Sequence, residues 1–231
     1  ILRCLVGSEM CIRDRSTTSL LLSVTLIPNC AFTLSLPGAK RSAPIISSAG
    51  MMFLPIIPPI IAPGKTLAWL AEKFGKDVKI VRTMPNTPAM VGEGMTAMCP
   101  NEHLTEEEVA YVKSLLESFS RVEIVAERLM DVVVSVSGSS PAYVFMMIEA
   151  MADAAVSGGM PRPQAYQFAA QAVLGSAKMV LDTGKHPGEL KDMVCSPAGT
   201  TIEAVRTLEE LGFRSAIIEA MKVCEEISKS L

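Results

Sequence analysis

The segment Ser196-Pro-Ala-Gly-Thr-Thr201 places hydroxyl groups and a glycine directly before a predicted helix. Gly199 has no side chain, so the backbone there can approach a ligand closely. The amide groups that follow point out of the helix amino terminus, where the helix dipole favours an anion. Thr200 and Thr201 add hydroxyl donors. This spacing could hold a small carboxylate, although the same residues also make an ordinary Ser/Thr-capped helix start.

A second candidate segment is Met84-Pro-Asn-Thr-Pro88, which follows a predicted strand over Val78–Arg82. In open α/β sheets ligands bind beyond the carboxyl ends of strands, so Asn86 and Thr87 could face a cofactor. The alternative is a rigid turn bracketed by prolines. On either reading, its prolines exclude it from a helix or a central strand. A third segment, Ser137–Pro141, is interpreted as a serine-rich helix cap.

Metal and nucleophile chemistry has little support in the sequence. His103 and His186 lie far apart, and none of the six cysteines forms a Cys-x-x-Cys pair. We therefore predict no metal site, and reduced thiols of a cytoplasmic protein in place of a disulfide framework. His186, which precedes Pro187, is interpreted as a turn residue and not as a base.

The elements that position these segments fall into two classes. Up to residue 126 the order is helix, strand, loop, strand-like segment, helix, strand, which is typical of the second half of an α/β domain. The predicted bounds are a helix over Lys65–Phe74 ended by Gly75, a strand over Val78–Arg82, a helix opened by a capping box at Thr105–Glu108, and a strand over Arg121–Val125.

Residues 127–231 are predicted to be helical throughout, including the β-branched stretch Asp131–Val136. The predicted helices are Ser140 (cap) and Pro141 through Ser157, Pro161–Leu181 closed by Gly184, Pro187–Met193, Ile202–Leu211 and Arg214–Lys229. Alanine-rich helices that are apolar on most sides are buried on most sides. We therefore predict a dimer in preference to an unusually apolar monomeric bundle.

Composition separates the first sixty residues from the rest. The 231 residues carry a net charge of −3 and are 49% hydrophobic, which excludes full-length disorder and disfavours coating of nucleic acid or anionic lipid. Residues 1–60 hold five basic and two acidic residues (+3), whereas the other 171 hold 16 and 22 (−6). The stretches 16–39 and 42–64 are uncharged, but their prolines disfavour a membrane anchor.

Residues 1–59 are expected to be artefactual or disordered. The chain starts at Ile1, and Cys4–Arg15 resembles a peptide that recurs in translated sequencing-adapter contamination, so most of this stretch is predicted to lie outside the native frame. The alternatives are a divergent amino terminus or a transit peptide.

From about Ile60 to Leu231 the sequence resembles the pyrroline-5-carboxylate reductase family. The matching segments are Arg82–Ala89, Val91–Met95, Ser135–Phe145, Glu149–Ala154, His186-Pro187, Leu190–Asp192, Ser196–Ile202, Leu208-Glu209 and Gly212–Arg214. The resemblance implies a Rossmann domain, here incomplete over residues 60–126, followed by an all-helical dimerisation and substrate-binding domain over 127–231. It also implies cytoplasmic homodimers that assemble further into rings.

The family's activity is the NADPH- or NADH-dependent reduction of 1-pyrroline-5-carboxylate to L-proline, the last step of proline biosynthesis. The resemblance implies that Ser196, Gly199, Thr200 and Thr201 hold the substrate carboxylate and that Val194 lines the pocket. Thr201 would also contact the ring nitrogen as the catalytic residue. Asn86, Thr87 and Pro88 would lie near the nicotinamide.

The sequence departs from the family pattern at three places. Ser140 replaces the last glycine of Gly-Ser-Gly, and Ala198 replaces the first glycine of Ser-Pro-Gly-Gly. The glycine-rich dinucleotide fingerprint is absent, since Gly7, Gly38 and Gly50 are the only glycines before residue 60. Three hypotheses follow: a reductase whose true amino terminus is missing from this sequence and whose cofactor binding is impaired, a non-catalytic helical oligomerisation unit of the same family, and a membrane-anchored form that uses residues 16–64.

Overall fold

The computed structural model describes residues 59–61, 64–74 and 78–231. The chain divides into two compact units, Ile1–Met130 and Asp131–Leu231. The interpretation of residues 1–58 and the predicted helix end at Gly75 lie outside the described residues. Pro59, which we placed in the preceding segment, belongs to the sheet, where it pairs with Val81.

The first unit is a four-stranded mixed sheet with two helices. Its elements are β1 (Pro59–Ile60), α1 (Leu67–Phe74), β2 (Val81–Met84), a 3-10 turn (Thr87–Val91), β3 (Gly94–Pro100), α2 (Glu106–Leu116), β4 (Ser120–Ile124) and a second 3-10 turn (Glu127–Leu129). The strands lie in the order β1-β2-β3-β4, with β2 and β3 antiparallel and the other two neighbouring pairs parallel. The predicted α/β class is thus confirmed.

Strand β2 lies further along the chain than we predicted. The Asn101 side chain accepts a hydrogen bond from the Ile80 N–H (3.1 Å) and donates one to the Val78 carbonyl (2.8 Å). This side chain therefore takes up backbone groups that a longer strand would have paired. The exclusion of 84–88 from helix and central strand was wrong in part, because Met84 ends the central strand β2 and Thr87–Pro88 open a 3-10 turn.

The core of this unit lies between α2 and one face of the sheet. It is formed by Val81, Met98, Val112, Leu116 and Val122, with Leu104, Val109 and Phe119 packed against it. The predicted capping box is confirmed: Thr105 accepts from the Glu108 N–H, and Glu108 accepts from the Thr105 N–H. Helix α2 therefore begins at Glu106. Its apolar side chains Val112 and Leu116 face the strands.

A single carboxylate joins α1 to the sheet. Glu127 Oε1 accepts from the Leu67 backbone N–H (2.5 Å) and lies 3.3 Å from Nη1 of Arg82, a strand residue that is only 6% exposed. Thr66 Oγ1 accepts from the Trp69 N–H, so α1 begins at Leu67 and not at Lys65. The same pair influences the neighbouring Cys99 thiol: burial and Glu127 raise its pKa, whereas Arg82 lowers it.

The second unit is helical throughout the described residues, as predicted. It contains α4 (Ser140–Ser157), α5 (Arg162–Thr183), α6 (Pro187–Val194), α7 (Thr200–Glu210) and α8 (Phe213–Ser230). A short helix α3 (Met130–Val133) and a π-helical segment (Val134–Gly138) precede α4. Gly184 ends α5 with a φ of 64°, a left-handed conformation that glycine adopts without cost.

The start of α4 differs from the predicted cap. The backbone is already helical from Met130, so Ser139 is the N-cap in right-handed helical conformation and Pro141 occupies the second helical position. The Ser137 hydroxyl donates to the Val133 carbonyl, and Ser139 Oγ accepts from the Cys224 thiol. The segment 137–141 is therefore a continuation of a helix and not a capping loop.

Most large apolar side chains of α4 and α5 are exposed. Phe145, Met146 and Phe168 are 60%, 69% and 61% exposed, whereas the fully buried positions are small ones such as Ala152 and Ala165. By length and composition alone, the helical stretch Glu127–Ser157 would also suffice to cross a membrane. An exposed apolar surface of this extent indicates an interaction face.

We predict that Glu108→Gln destabilises the first unit in a pH-dependent way. Hydrogen bonds from Lys79 (2.5 Å) and from the Thr105 backbone N–H hold the pKa of Glu108 below its usual range. The stabilisation is present above the ordinary carboxyl pKa and is lost as the pH falls through the lowered value. Urea unfolding from neutral to acidic pH should show a difference between wild type and variant that shrinks on acidification. Glu106→Gln, at an exposed position of the same turn, is the control, and a difference for Glu108→Gln that stays constant with pH would contradict the assignment.

Candidate functional site

The loop between α6 and α7 has a tight backbone that depends on glycine. The Ser196 carbonyl accepts from the Gly199 N–H (3.0 Å), and Ala198 between them has a φ of 56°. A Cβ added at Gly199 would lie 2.3 Å from Ser196 Oγ and 3.1 Å from the Ser196 carbonyl oxygen. Glycine at 199 therefore lets the Ser196 hydroxyl lie against the amino terminus of α7.

Helix α7 starts two residues earlier than we predicted. Gly199 is the N-cap with extended backbone, so Thr200 and Thr201 occupy the first turn and do not precede the helix. Within the described chain, no side chain caps this end. The free first-turn amides retain the positive end of the helix dipole. Glu203 lies in the same turn, but its carboxylate is engaged by Arg206 Nε (3.1 Å).

The predicted substrate residues lie on this one loop and its flanks. Val194 ends α6 and is 64% exposed, Ser196 and Thr200 are exposed, and Gly199 and Thr201 are half-buried. Hydroxyl groups, amides and an apolar side chain are thus all open to a ligand within eight residues. This arrangement can bind a small anion that carries an apolar part.

The predicted cofactor residues lie in the first unit, directly after β2. The Asn86 side-chain carbonyl accepts from the Met95 backbone N–H (2.9 Å), and its own backbone carbonyl accepts from Ala89. Asn86 therefore ties the start of the 3-10 turn to the start of β3. Thr87, which is exposed, and Pro88 form the first residues of that turn.

The glycines next to this turn are used for chain reversal and packing. Gly92 has a φ of 78°, and a Cβ at Gly94 would lie 2.8 Å from Ala89 Cβ and 2.9 Å from Ser120 Cβ. Gly94 opens a strand, whereas a dinucleotide pyrophosphate is held by a glycine-rich turn that opens a helix. Gly92 and Gly94 therefore do not form the kind of turn that holds a dinucleotide pyrophosphate.

One residue with a structural role at the site escaped our prediction. His186, interpreted as a turn residue, is the N-cap of α6, and its Nδ1 accepts from the Gly188 N–H (3.0 Å). The signal that could have revealed it is Pro187 at the first helical position, which marks the preceding residue as a cap.

His103 lies next to Glu102 (3.8 Å), and no group of three metal-ligating side chains occurs among the described residues.

Comparison with known proteins identifies the family to which this chain belongs. Residues 127–231 match the family model for pyrroline-5-carboxylate reductase dimerisation. The pyrroline-5-carboxylate reductase of Synechocystis is 46% identical over 187 residues, which are 81% of this chain and 69% of the relative. The chain belongs to the pyrroline-5-carboxylate reductase family. The resemblance noted in the sequence is thereby confirmed.

Other members of the family agree in sequence and in structure. The Escherichia coli pyrroline-5-carboxylate reductase is 65% identical over 171 aligned residues. These residues are 74% of this chain but only 64% of that relative, so the chain spans about two thirds of the length of this relative. The crystal structure of the Plasmodium falciparum pyrroline carboxylate reductase with NADP bound superposes with a TM-score of 0.69 at 34% identity, covering 74% of this chain and 68% of that one. The Streptococcus pyogenes enzyme superposes with a TM-score of 0.70 at 35% identity, covering 74% and 66%.

Ala198 departs from the family sequence pattern at a position where the backbone conformation favours glycine. Alanine stands where the family pattern has glycine, and its φ of 56° is one that alanine adopts at a cost of about 1–2 kcal/mol. The backbone of the loop nevertheless keeps the left-handed conformation that glycine would adopt freely.

We predict that Ala198→Gly stabilises the second unit by up to about 1 kcal/mol, because relief of the left-handed strain exceeds the greater freedom of glycine in the unfolded chain. Chemical denaturation measures the change. Ala204→Gly, an exposed position inside α7, is the matched control and should destabilise by about 0.5–1 kcal/mol. Equal effects of the two variants would mean that the backbone at 198 is not strained.

Proposed function

We propose that the chain has the activity of its family, the reduction of 1-pyrroline-5-carboxylate to L-proline with NADPH or NADH. The observation that carries the proposal is the uncapped amino terminus of α7, with Gly199 and two threonines open to a ligand. The bound cofactor would supply hydride from its nicotinamide C4 to the carbon of the C=N bond. The remaining chemistry is positioning, because a protonated imine is already electrophilic.

Each side chain of the loop has a role in this proposal. The first-turn amides of α7 and the hydroxyls of Ser196 and Thr200 hold the carboxylate, and Val194 contacts the apolar ring edge. Thr201, in the second helical position, offers its hydroxyl to the ring nitrogen and is the proposed catalytic residue. No side-chain base is required, because the product amine carries away the proton of the imine.

For the cofactor we propose that Asn86, Thr87 and Pro88 form the nicotinamide end of its site. Their position at the carboxyl end of β2 supports this, as does the NADP bound to the Plasmodium relative. A glycine-rich turn that opens a helix after a strand is missing from the sequence. We infer that the 231-residue chain binds the dinucleotide weakly, and its helical unit alone would then act as an oligomerisation module.

We also propose that the second unit forms a homodimer through α4 and α5, with assembly of dimers into a ring as a further step. The support is the exposed apolar surface of these helices, including a shallow pocket lined by Phe145, Met146 and Tyr166. The match to a dimerisation family model adds to it. We expect a cytoplasmic protein without membrane or nucleic-acid partners.

The cofactor proposal predicts that NADPH fluorescence titration of the 231-residue chain reveals no micromolar binding, because backbone amides of a glycine-rich turn supply most contacts to the phosphates. A chimera in which the amino-terminal part of the Escherichia coli relative precedes residues 61–231 should bind. Micromolar affinity of the unmodified chain would overturn the inference.

In that chimera we predict that Thr201→Ala lowers kcat/KM at least tenfold, the size expected when one hydrogen bond to a charged group is lost. Thr201→Ser keeps the hydroxyl and is the matched control, with most activity retained. Steady-state NADPH oxidation with 1-pyrroline-5-carboxylate measures both. An unchanged kcat/KM in Thr201→Ala would remove this residue from the site.

The dimer proposal predicts that Phe145→Glu lowers the mass of the chain, measured by light scattering after size exclusion, towards that of a monomer. A buried charge in an apolar interface opposes association. Tyr111→Glu removes a comparably exposed aromatic side chain from the first unit and should leave the mass unchanged. A monomeric wild type would refute the proposal.

A further inference from the structure

We propose that His186 is a positioning residue for the substrate loop, acting through α6. The inference rests on the function proposed above, and it concerns a side chain that contacts neither the carboxylate loop nor the cofactor turn in that proposal. Its basis is the hydrogen bond from the Gly188 N–H to His186 Nδ1.

The neighbouring residues accommodate this imidazole cap. His186 has extended backbone (φ −61°, ψ 133°) and its carbonyl accepts from the Leu190 N–H (3.2 Å), which begins the helix. Pro187 follows at the first helical position. A Cβ at Gly188 would lie 3.0 Å from His186 Nδ1 and 3.3 Å from Cε1, so glycine lets the ring lie directly over the helix end.

Helix α6 has little else to hold it within the second unit. It spans eight residues, Pro187–Val194, and none of them is buried. Helices of this length are marginal unless packing or capping stabilises them. The ion pair between Lys185 and Glu189 is exposed, and such pairs contribute little. The imidazole cap is therefore a large part of what keeps α6 formed.

The order of α6 reaches the substrate loop through a short covalent path. Val194 ends the helix, Cys195 donates its N–H to the Asp192 carbonyl (3.1 Å), and Ser196 is the next residue. A frayed α6 would release Val194 and Ser196 from their fixed positions relative to the amino terminus of α7. The loop would then lose conformational entropy each time a carboxylate binds, which weakens binding without altering the chemical step.

The test compares His186→Ala with His186→Asn in the 231-residue chain. Asparagine Oδ1, like histidine Nδ1, is bonded to Cγ, and asparagine is a favoured N-cap residue. His186→Asn therefore restores the hydrogen-bond acceptor while removing the imidazole ring. His103→Ala, an exposed histidine of the first unit, is the control. The readouts are the dissociation constant of L-proline by NMR titration and the amide hydrogen exchange of residues 187–201.

We expect His186→Ala to weaken L-proline binding about fivefold and to speed exchange over 187–201, the effect of losing one helix cap. His186→Asn should restore both, and in the active chimera His186→Ala should raise KM with kcat unchanged. Wild-type affinity and exchange in His186→Ala would overturn the inference, as would failure of asparagine to rescue. If no variant, wild type included, binds L-proline, the proposed carboxylate site is wrong, and unchanged exchange over 196–201 in His186→Ala would independently refute the positioning role.

Discussion

Covering the apolar surface of α4 and α5 is the constraint on which the second unit depends. Its helices bury small side chains against one another and leave large ones such as Phe145 and Phe168 in water. Burying such a side chain completely from full exposure is worth about 1.5–3 kcal/mol. Phe145 and Phe168 are still 60% and 61% exposed, so covering them with a partner surface recovers part of that free energy. An alanine-rich contact between helices brings their backbones close, but it leaves no room for a bulky core within one chain. The same composition that makes the helix pair compact therefore makes association favourable.

In the first unit, polar side chains hydrogen-bond backbone groups that the short strands leave unpaired. Glu127 neutralises the buried Arg82 and holds the amino terminus of α1. Asn101 bonds to backbone groups just before β2, and Asn86, which follows β2, accepts from the Met95 N–H at the start of β3. A buried charge without its partner is costly, which makes the Arg82–Glu127 pair a condition for the packing on that face of the sheet. The proposed nicotinamide turn follows β2.

The proposed substrate loop combines a free helix end with a backbone that only small residues permit. Ser196 and Gly199 approach too closely for a side chain at 199, and Ala198 keeps a left-handed conformation. Amides that are not satisfied within the helix remain available to an anion. Binding is thus a property of backbone geometry, and the hydroxyl groups refine it. Helix α6 fixes one end of this loop and α7 the other, so the order of both helices determines how ready the loop is for a ligand.

Local rules carried much of the prediction and failed where distant residues act. The apolar stripe of α2, its capping box, the all-helical second half and the glycine ends of helices are encoded by neighbours three or four residues apart, and the sequence by itself determined them. The family was also recognisable, because the Ser196–Ile202 segment is contiguous. The later start of β2 depends on Asn101, twenty residues further on, and the shifted start of α4 on the π-helical segment before it. The contacts of Glu127 with the Leu67 N–H and with Arg82 required side-chain positions in space. These were decided by the tertiary structure alone, since a hydrogen bond between residues far apart in sequence leaves no periodic pattern.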